Sequence, residues 1–335
     1  MKAPRPESAS QDWDITFCIM TFKRTSWLRE SLCSIPKHCP IQYRVKLMCV
    51  GNRSDELQQL LEELDDHRIE LVAAPVNLPV GGGRKLLAHQ VRSKLTMMMD
   101  DDLSLTASSI PLALKVLEQH EDIGAVSMPH YDRHGRMLST GGRNLVIRDG
   151  VLKRVIPRLD FRANFMIVED LDGSAMLYRT QMRNSFSWDG RYTCTFDDID
   201  KSLSIVRDGR WKQAIVPNGQ VIHDRSWLGA TREYEKRRYN GIAMRRSYRM
   251  FRAKWRLRFG MREHLPLELI WPVLTLARWQ SGIAILHRII QIRTQKRISD
   301  LNSRSEHADS MTGEHGVTAD VVGESSTHLP ALSKS

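Results

Sequence analysis

Apolar and polar positions in the first hundred residues follow two alternating rhythms. Trp13–Met20, Arg44–Val50, Ile69–Ala73 and the run from Leu95 into Asp100 are short apolar stretches, the pattern of buried strands. Between them Trp27, Leu28, Leu32 and Ile35, and later Leu57, Leu60, Leu61 and Leu64, recur at helical spacing, with Ser26 the expected N-cap of the first helix. A loop from Pro75 to Gly83, ending in three glycines, is expected to open into a helix from Arg84 to about Lys94. Strands alternating with helices predict a mostly parallel sheet covered by helices on both faces, a Rossmann-like α/β fold. In such sheets ligands bind beyond the carboxyl ends of the strands. The polar clusters Thr21–Arg24, Gly51–Asp55, the glycine run and Asp100–Asp102 all fall there.

From Ile123 the rhythm changes. Gly124–Met128, Phe165–Val168, Asp172–Tyr178 and Trp211–Val216 read as strands, and Asp149-Gly150 between apolar runs predicts a hairpin with a tight primed turn. Phe196-Asp197-Asp198-Ile199-Asp200 leads into a helix marked by Ile199, Leu203 and Val206, and His223 follows the last of these strands. Thr195 and Asp198 have capping-box spacing, and acids in a first turn complement the helix dipole.

Composition adds three limits. At 335 residues, 41% apolar and 27% charged, the chain suits one large or two modest globular domains. Five cysteines show no CxxC pair, so no disulfide framework is expected and a reducing cytoplasm is the default. The net charge of +11 is concentrated: residues 225–297 carry 18 Lys/Arg against 4 Asp/Glu, whereas residues 1–224 are nearly balanced. Residues 1–12 read as a flexible lead-in without a signal-peptide core, and residues 299–335 as a disordered tail.

The candidate chemistry starts at Asp100-Asp101-Asp102. Alternation along a strand sends Asp100 and Asp102 to one side and Asp101 to the other. Two carboxylates on one side suit Mg²⁺ or Mn²⁺, hard cations that take oxygen ligands and often keep a substrate phosphate. An acidic turn bonded to backbone amides is the plainer alternative. The glycine run lacks GxGxxG spacing and a first-strand position, which excludes a dinucleotide fingerprint.

Ile15–Arg24, Asn77–Arg84, the three aspartates, Phe196–Asp200 and His223 together resemble, in order and spacing, the inverting GT-A glycosyltransferases of family two. The likeness runs from Ile15 to about Trp227, which puts a GT-A catalytic domain at residues 13–226. The resemblance implies transfer of a sugar from a nucleoside diphosphate, a UDP-sugar by default, to an acceptor hydroxyl with inversion. It implies a donor site formed by Thr21, Arg24, Asn52, Asn77, Gly82, Gly83, Arg84, Asp100 and Asp101. Mn²⁺ or Mg²⁺ would be held by Asp102, Asp100 and His223, with Asp198 as catalytic base and Asp197 as second choice. Asp172, Gly173 and Trp188 are the expected acceptor-side residues. Gly51 stands where the family usually has a base-binding Asp, and Lys85 where it has Asn.

Residues 227–298 interleave basic and aromatic side chains and are expected to form basic amphipathic helices, broken by Glu268, Pro272, Arg278 and Gln280 before any could span a bilayer. Docking on an anionic membrane surface, packing on the catalytic domain and nucleic-acid binding are the three readings, with membrane first and nucleic acid last. The expected whole is a cytoplasmic-face peripheral enzyme acting on a glycan or lipid-linked acceptor. A sugar nucleotidyltransferase, or a non-catalytic membrane or nucleic-acid adaptor on the same fold, is the alternative.

Overall fold

The strands β1 (Ile15–Thr21), β2 (Tyr43–Cys49), β3 (Ile69–Val72) and β4 (Leu95–Asp100) alternate with α1 (Thr25–His38), α2 (Asp55–Leu64) and α3 (Val80–His89) in the computed structural model. It describes residues 14–22, 24–50, 55–74, 78–193, 196–223, 240–258, 260–261, 296 and 298. Asn52, Asn77, Thr195, both terminal segments and most of the basic segment lie outside these residues. Next come β5 (Leu103–Leu105), α4 (Ser109–Gln119), β6 (Ile123–Ser127), β7 (His130–Tyr131), β8 (Met137–Ser139), β9 (Gly142–Arg148) and β10 (Val151–Val155). The described chain continues through β11 (Met166–Val168), β12 (Asp170–Leu171), β13 (Ala175–Arg179), α5 (Asp197–Asp208), β14 (Lys212–Ile215), β15 (Val221–His223), α6 (Gly241–Lys254) and β16 (Gly260–Met261).

Eight strands form the central sheet, ordered β11-β14-β6-β13-β4-β1-β2-β3, with β13 and β11 antiparallel to their neighbours. Leu28, Leu32, Leu57, Leu60, Ile110 and Leu117 pack α1, α2 and α4 into one apolar cluster with the sheet. Leu87 and Ile205 bring α3 and α5 into another. The predicted mostly parallel sheet with helices on both faces is present. The hairpin is present too: β9 and β10 pair antiparallel across Asp149 (φ 54°) and Gly150 (φ 73°), both in the left-handed region that a primed turn requires.

Two boundaries differ from expectation. The glycines do not form a loop before the helix; they are its first turn, because α3 starts at Val80. Glycine costs a helix about 1 kcal/mol relative to alanine, but a Cβ on Gly81 would overlap the Asp189 carbonyl, and one on Gly83 would displace the end of the Met20 side chain. Helix α1 starts at Thr25, so its N-cap is Arg24 rather than Ser26, without a side-chain cap bond.

The described part of the basic segment shares the core. Helix α6 buries Met244, Tyr248 and Phe251, with Trp255 and Leu257 beyond it, against Leu145, Leu152, Tyr192, Phe196, Ile199 and Leu203. The core therefore runs past the boundary expected at 226. No helix among the described residues is long and apolar enough to cross a membrane.

Phe251 is fully buried and Ile242 is 76% exposed. Phe251→Ala should cost about 3–5 kcal/mol, and Ile242→Ala no more than about 0.5 kcal/mol. Chemical denaturation of the two variants checks this. Equal midpoints would mean that α6 does not share the core.

Candidate active site

Two arginines organise the acidic end of the central sheet. Arg84 on α3 is only 5% exposed. Its Nη1 donates to Asp197 Oδ2 at 2.9 Å and to Asp198 Oδ1 at 2.6 Å, and its Nη2 donates to Asp100 Oδ1 at 2.9 Å. Burial opposes the guanidinium charge, but Asp198, Asp197 and Asp100 outweigh it and raise the Arg84 pKa. The same guanidinium lies 5.1 Å from the Trp188 ring centroid. One cation thus joins the end of β4 to the start of α5, two stretches nearly a hundred residues apart.

The backbone around this knot is shaped to fit it. Gly173 passes so close that a Cβ would overlap both the Asp198 carboxylate and the Arg84 guanidinium. Phe196, the residue before Asp197, adopts φ 74°, a strained left-handed conformation for a bulky side chain. Its ring stacks on Phe251 at 5.4 Å and packs by Tyr248 at 5.6 Å, so α6 holds the strained residue in place. Phe196 is the helix N-cap, and Thr195, expected with Asp198 to form a capping box, lies outside the described residues. Asp197, Asp198 and Asp200 do occupy the first turn, where acids complement the dipole. Burial, aided by the Asp198 charge, pushes Asp197 up to about 6.

The second arginine, Arg24, serves the other two aspartates. Its Nη1 donates to Asp102 Oδ2 at 2.7 Å, while Nε at 3.2 Å and Nη2 clasp Asp101. Asp101 is fully buried, also takes a hydrogen bond from Thr21, and its backbone carbonyl accepts from Ser31. The expected alternation stops at Asp100, where β4 ends; Asp101 and Asp102 lie in a turn and share a guanidinium. Arg24 also walls a cleft of about 470 Å³ with Thr25, Ser26, Trp27, Glu56 and Gln59, within the size range of small-molecule sites.

A four-stranded sheet, β5-β15-β7-β8, then brings the late histidine to the aspartates. His223 is in register with Leu103, the residue after Asp102, which sets His223 Nε2 3.4 Å from Asp102 Oδ1. Behind it, His223 Nδ1 lies 3.3 Å from His130 Nδ1.

Asp100, Asp102 and His223 do not form a three-residue metal cluster, and none exists among the described residues; Arg84 has taken Asp100. Asp101 and Arg84 are buried in ion pairs, and Gly82 and Gly83 back onto Leu78, Gly190 and Met20. Trp188 is 2% exposed and forms a floor beneath Arg84 and Lys201. Asp172 is held by Arg143 and Ser139; burial alone would raise its pKa, but Arg143, His130 and Arg154 keep it well below the usual carboxylate range. Sequence reasoning passed over His130, one of 12 histidines without local pattern, and Asp200 as an anchor for α6.

Whether these residues suit a divalent cation can be tested on their donors. Adjacent ligands of one small cation with bonds of about 2.1 Å lie roughly 3 Å apart, close to the 3.4 Å between Asp102 Oδ1 and His223 Nε2. One carboxylate and one imidazole, with diphosphate oxygens to complete the shell, fit Mn²⁺ or Mg²⁺.

The sheet order, the acidic strand end and the flanking helices define a GT-A fold. Residues 12–253 match the family model described as glycosyltransferase like family 2, and the chain belongs to that family. Among solved structures it is similar to GalNAc-T7 with UDP, GalNAc and Mn²⁺, at 12% identity and TM-score 0.53, over 71% of this chain and 50% of that one. It is also similar to S. aureus TarS residues 1–349 in complex with UDP-GlcNAc, at 10% identity and TM-score 0.48, over 71% and 70%. The chain thus spans half the length of the GalNAc-T7 structure it matches. No curated protein sequence matches it.

Burial is the main cause that pushes Asp101 up to about 7, with Arg24 opposing. Its folded state therefore keeps a proton that the unfolded chain releases near the ordinary carboxylate value. That stabilising contribution is complete below about pH 4 and is lost as pH rises through about 7. Asp101→Asn has no proton to lose, so its stability should fall less than that of the wild type between pH 4 and 8. Denaturation profiles across this range test the point, and parallel profiles would contradict it.

Proposed function

We propose that the protein is a metal-dependent inverting glycosyltransferase that moves a sugar from a nucleoside diphosphate to an acceptor hydroxyl. The observation that carries this reading is the disposition of Asp198. Its carboxylate is 35% exposed, is fixed on a helix start and is bound by the same arginine as Asp100 at the strand end. A single displacement with inversion needs a base on the face opposite the leaving group. Asp198 is that base, since Asp197, 5% exposed, is too enclosed to meet an acceptor. Arg84 keeps Asp198 aimed.

On the donor side, Asp102 and His223 are the residues that would hold Mn²⁺ or Mg²⁺. When bound, the ion neutralises charge that gathers on the departing diphosphate. Asp100, 37% exposed, is placed to accept a hydrogen bond from the donor's ribose or sugar hydroxyls. Arg24 holds Asp102 from behind, so the carboxylate faces the donor with one oxygen committed to protein. The donor is a UDP-sugar by default, and the acceptor a glycan or lipid-linked sugar of envelope or polysaccharide synthesis.

Asp198→Asn should lower kcat by at least about 100-fold while nucleotide-sugar binding, read by Mn²⁺-dependent thermal shift, stays close to wild type. Near-wild-type turnover would remove Asp198 from the role of base.

The membrane reading now rests on the outer face of α6, where Arg246 and Arg249 are exposed while Tyr248 and Phe251 are buried. A cationic face of this kind suits anionic headgroups. Arg246→Glu combined with Arg249→Glu should weaken binding of the full chain to phosphatidylglycerol vesicles several-fold at low salt. Unchanged binding would withdraw this surface from membrane contact.

A further inference from the structure

The small sheet delivers two histidines to the acidic site, and His223 reaches Asp102. His130 is fully buried behind it. The rings meet edge to face, 5.3 Å between centroids and 67° between planes, with Nδ1 of one 3.3 Å from Nδ1 of the other. At that distance one nitrogen carries a hydrogen and the other accepts it, because two lone pairs or two N–H groups would repel.

We propose that His130 is a positioning residue for the divalent-cation site, accepting the hydrogen on His223 Nδ1 so that the lone pair on His223 Nε2 is presented beside Asp102. The inference rests on Asp102 and His223 being the cation-binding pair. An imidazole coordinates only through an unprotonated nitrogen, and its other nitrogen is then an N–H that needs an acceptor. The opposite tautomer points an Nε2–H at Asp102 and blocks the position. Buried side chains do not reorient freely, so the identity of the group behind Nδ1 decides which tautomer is favoured.

The small sheet fixes the two rings relative to each other. Its strand pairs with β8 on one side (His130 with Ser139) and with β15 on the other (His130 with Val221), so one sheet sets the backbone under both rings. The Asp172 carboxylate, held by Ser139 and Arg143, lies within electrostatic reach of the His130 ring.

The test is Mn²⁺ titration of the full chain, with free Mn²⁺ followed by electron paramagnetic resonance. His130→Asn keeps an oxygen near the place of Nδ1, whereas His130→Gln carries its amide one bond too far. His130→Gln should weaken Mn²⁺ binding about 10- to 100-fold, the usual effect of removing such a partner, with His130→Asn within about threefold of wild type on the same reasoning. If His223→Ala binds Mn²⁺ as tightly as wild type, the cation-site reading itself fails. If His223→Ala loses affinity while His130→Gln keeps it, or both His130 variants lose it equally, this inference alone fails. A long-range ¹H–¹⁵N spectrum of the Mg²⁺-loaded wild type provides a reading free of variants: an Nδ1–H on His223 supports the proposal, and an Nε2–H overturns it.

Discussion

A buried guanidinium surrounded by three carboxylates is the interaction on which this site depends. Arg84 reaches Asp100 on β4 and Asp197 and Asp198 on α5, so it sets the distance between the two halves of the cleft. Such clusters are not stabilising merely because charges meet; desolvation offsets much of the attraction. Their force lies in the penalty for breaking them, since removing Arg84 would leave Asp197 buried beside two like charges. Gly173 is small for the same reason, since a Cβ there would overlap both Arg84 and Asp198.

The second constraint comes from the C-terminal side. Helix α6 stacks Phe251 on Phe196 and sends Lys254 and Trp255 to Asp200, the third acid of α5, with bonds of 2.7 and 2.8 Å. Tyr192 shares that carboxylate at 3.3 Å. Phe196 holds its left-handed backbone because these aromatics surround it, and the next two residues are Asp197 and Asp198. The basic helix is therefore part of what aims the acids, whatever its outer arginines meet.

Much of the architecture was legible because hydrophobic period reports burial directly. The alternation of β1 to β4 with α1 to α3, and the Asp149-Gly150 turn, need only local chemistry to be recognised. The residues of the acidic clusters were legible as well, through their place at strand ends and their order along the chain. What escaped was pairing. Period two predicted that Asp100 and Asp102 would work together, yet the strand ends at Asp100, so Arg24 and Arg84 divide the aspartates otherwise. Nothing local marks Trp188 as a buried floor, or His130 as the partner of a histidine 93 residues later. Those facts are long-range, made by sheet register and by the close approach of α3 to α5. The glycine run misled for a related reason: helix propensity argued for a loop, and tertiary packing against Asp189 and Met20 prevailed.

The central claim is that Arg84 binds the strand end and the helix start into one unit, and a double-mutant cycle tests it most directly. Arg84→Met should destabilise the fold by about 3–5 kcal/mol. Adding Asp197→Asn should recover a large part of that loss, because the orphaned buried charge is gone, giving a coupling of at least about 1 kcal/mol. Additive effects, with Arg84→Met costing less than about 1 kcal/mol, would show that the carboxylates are held by something else.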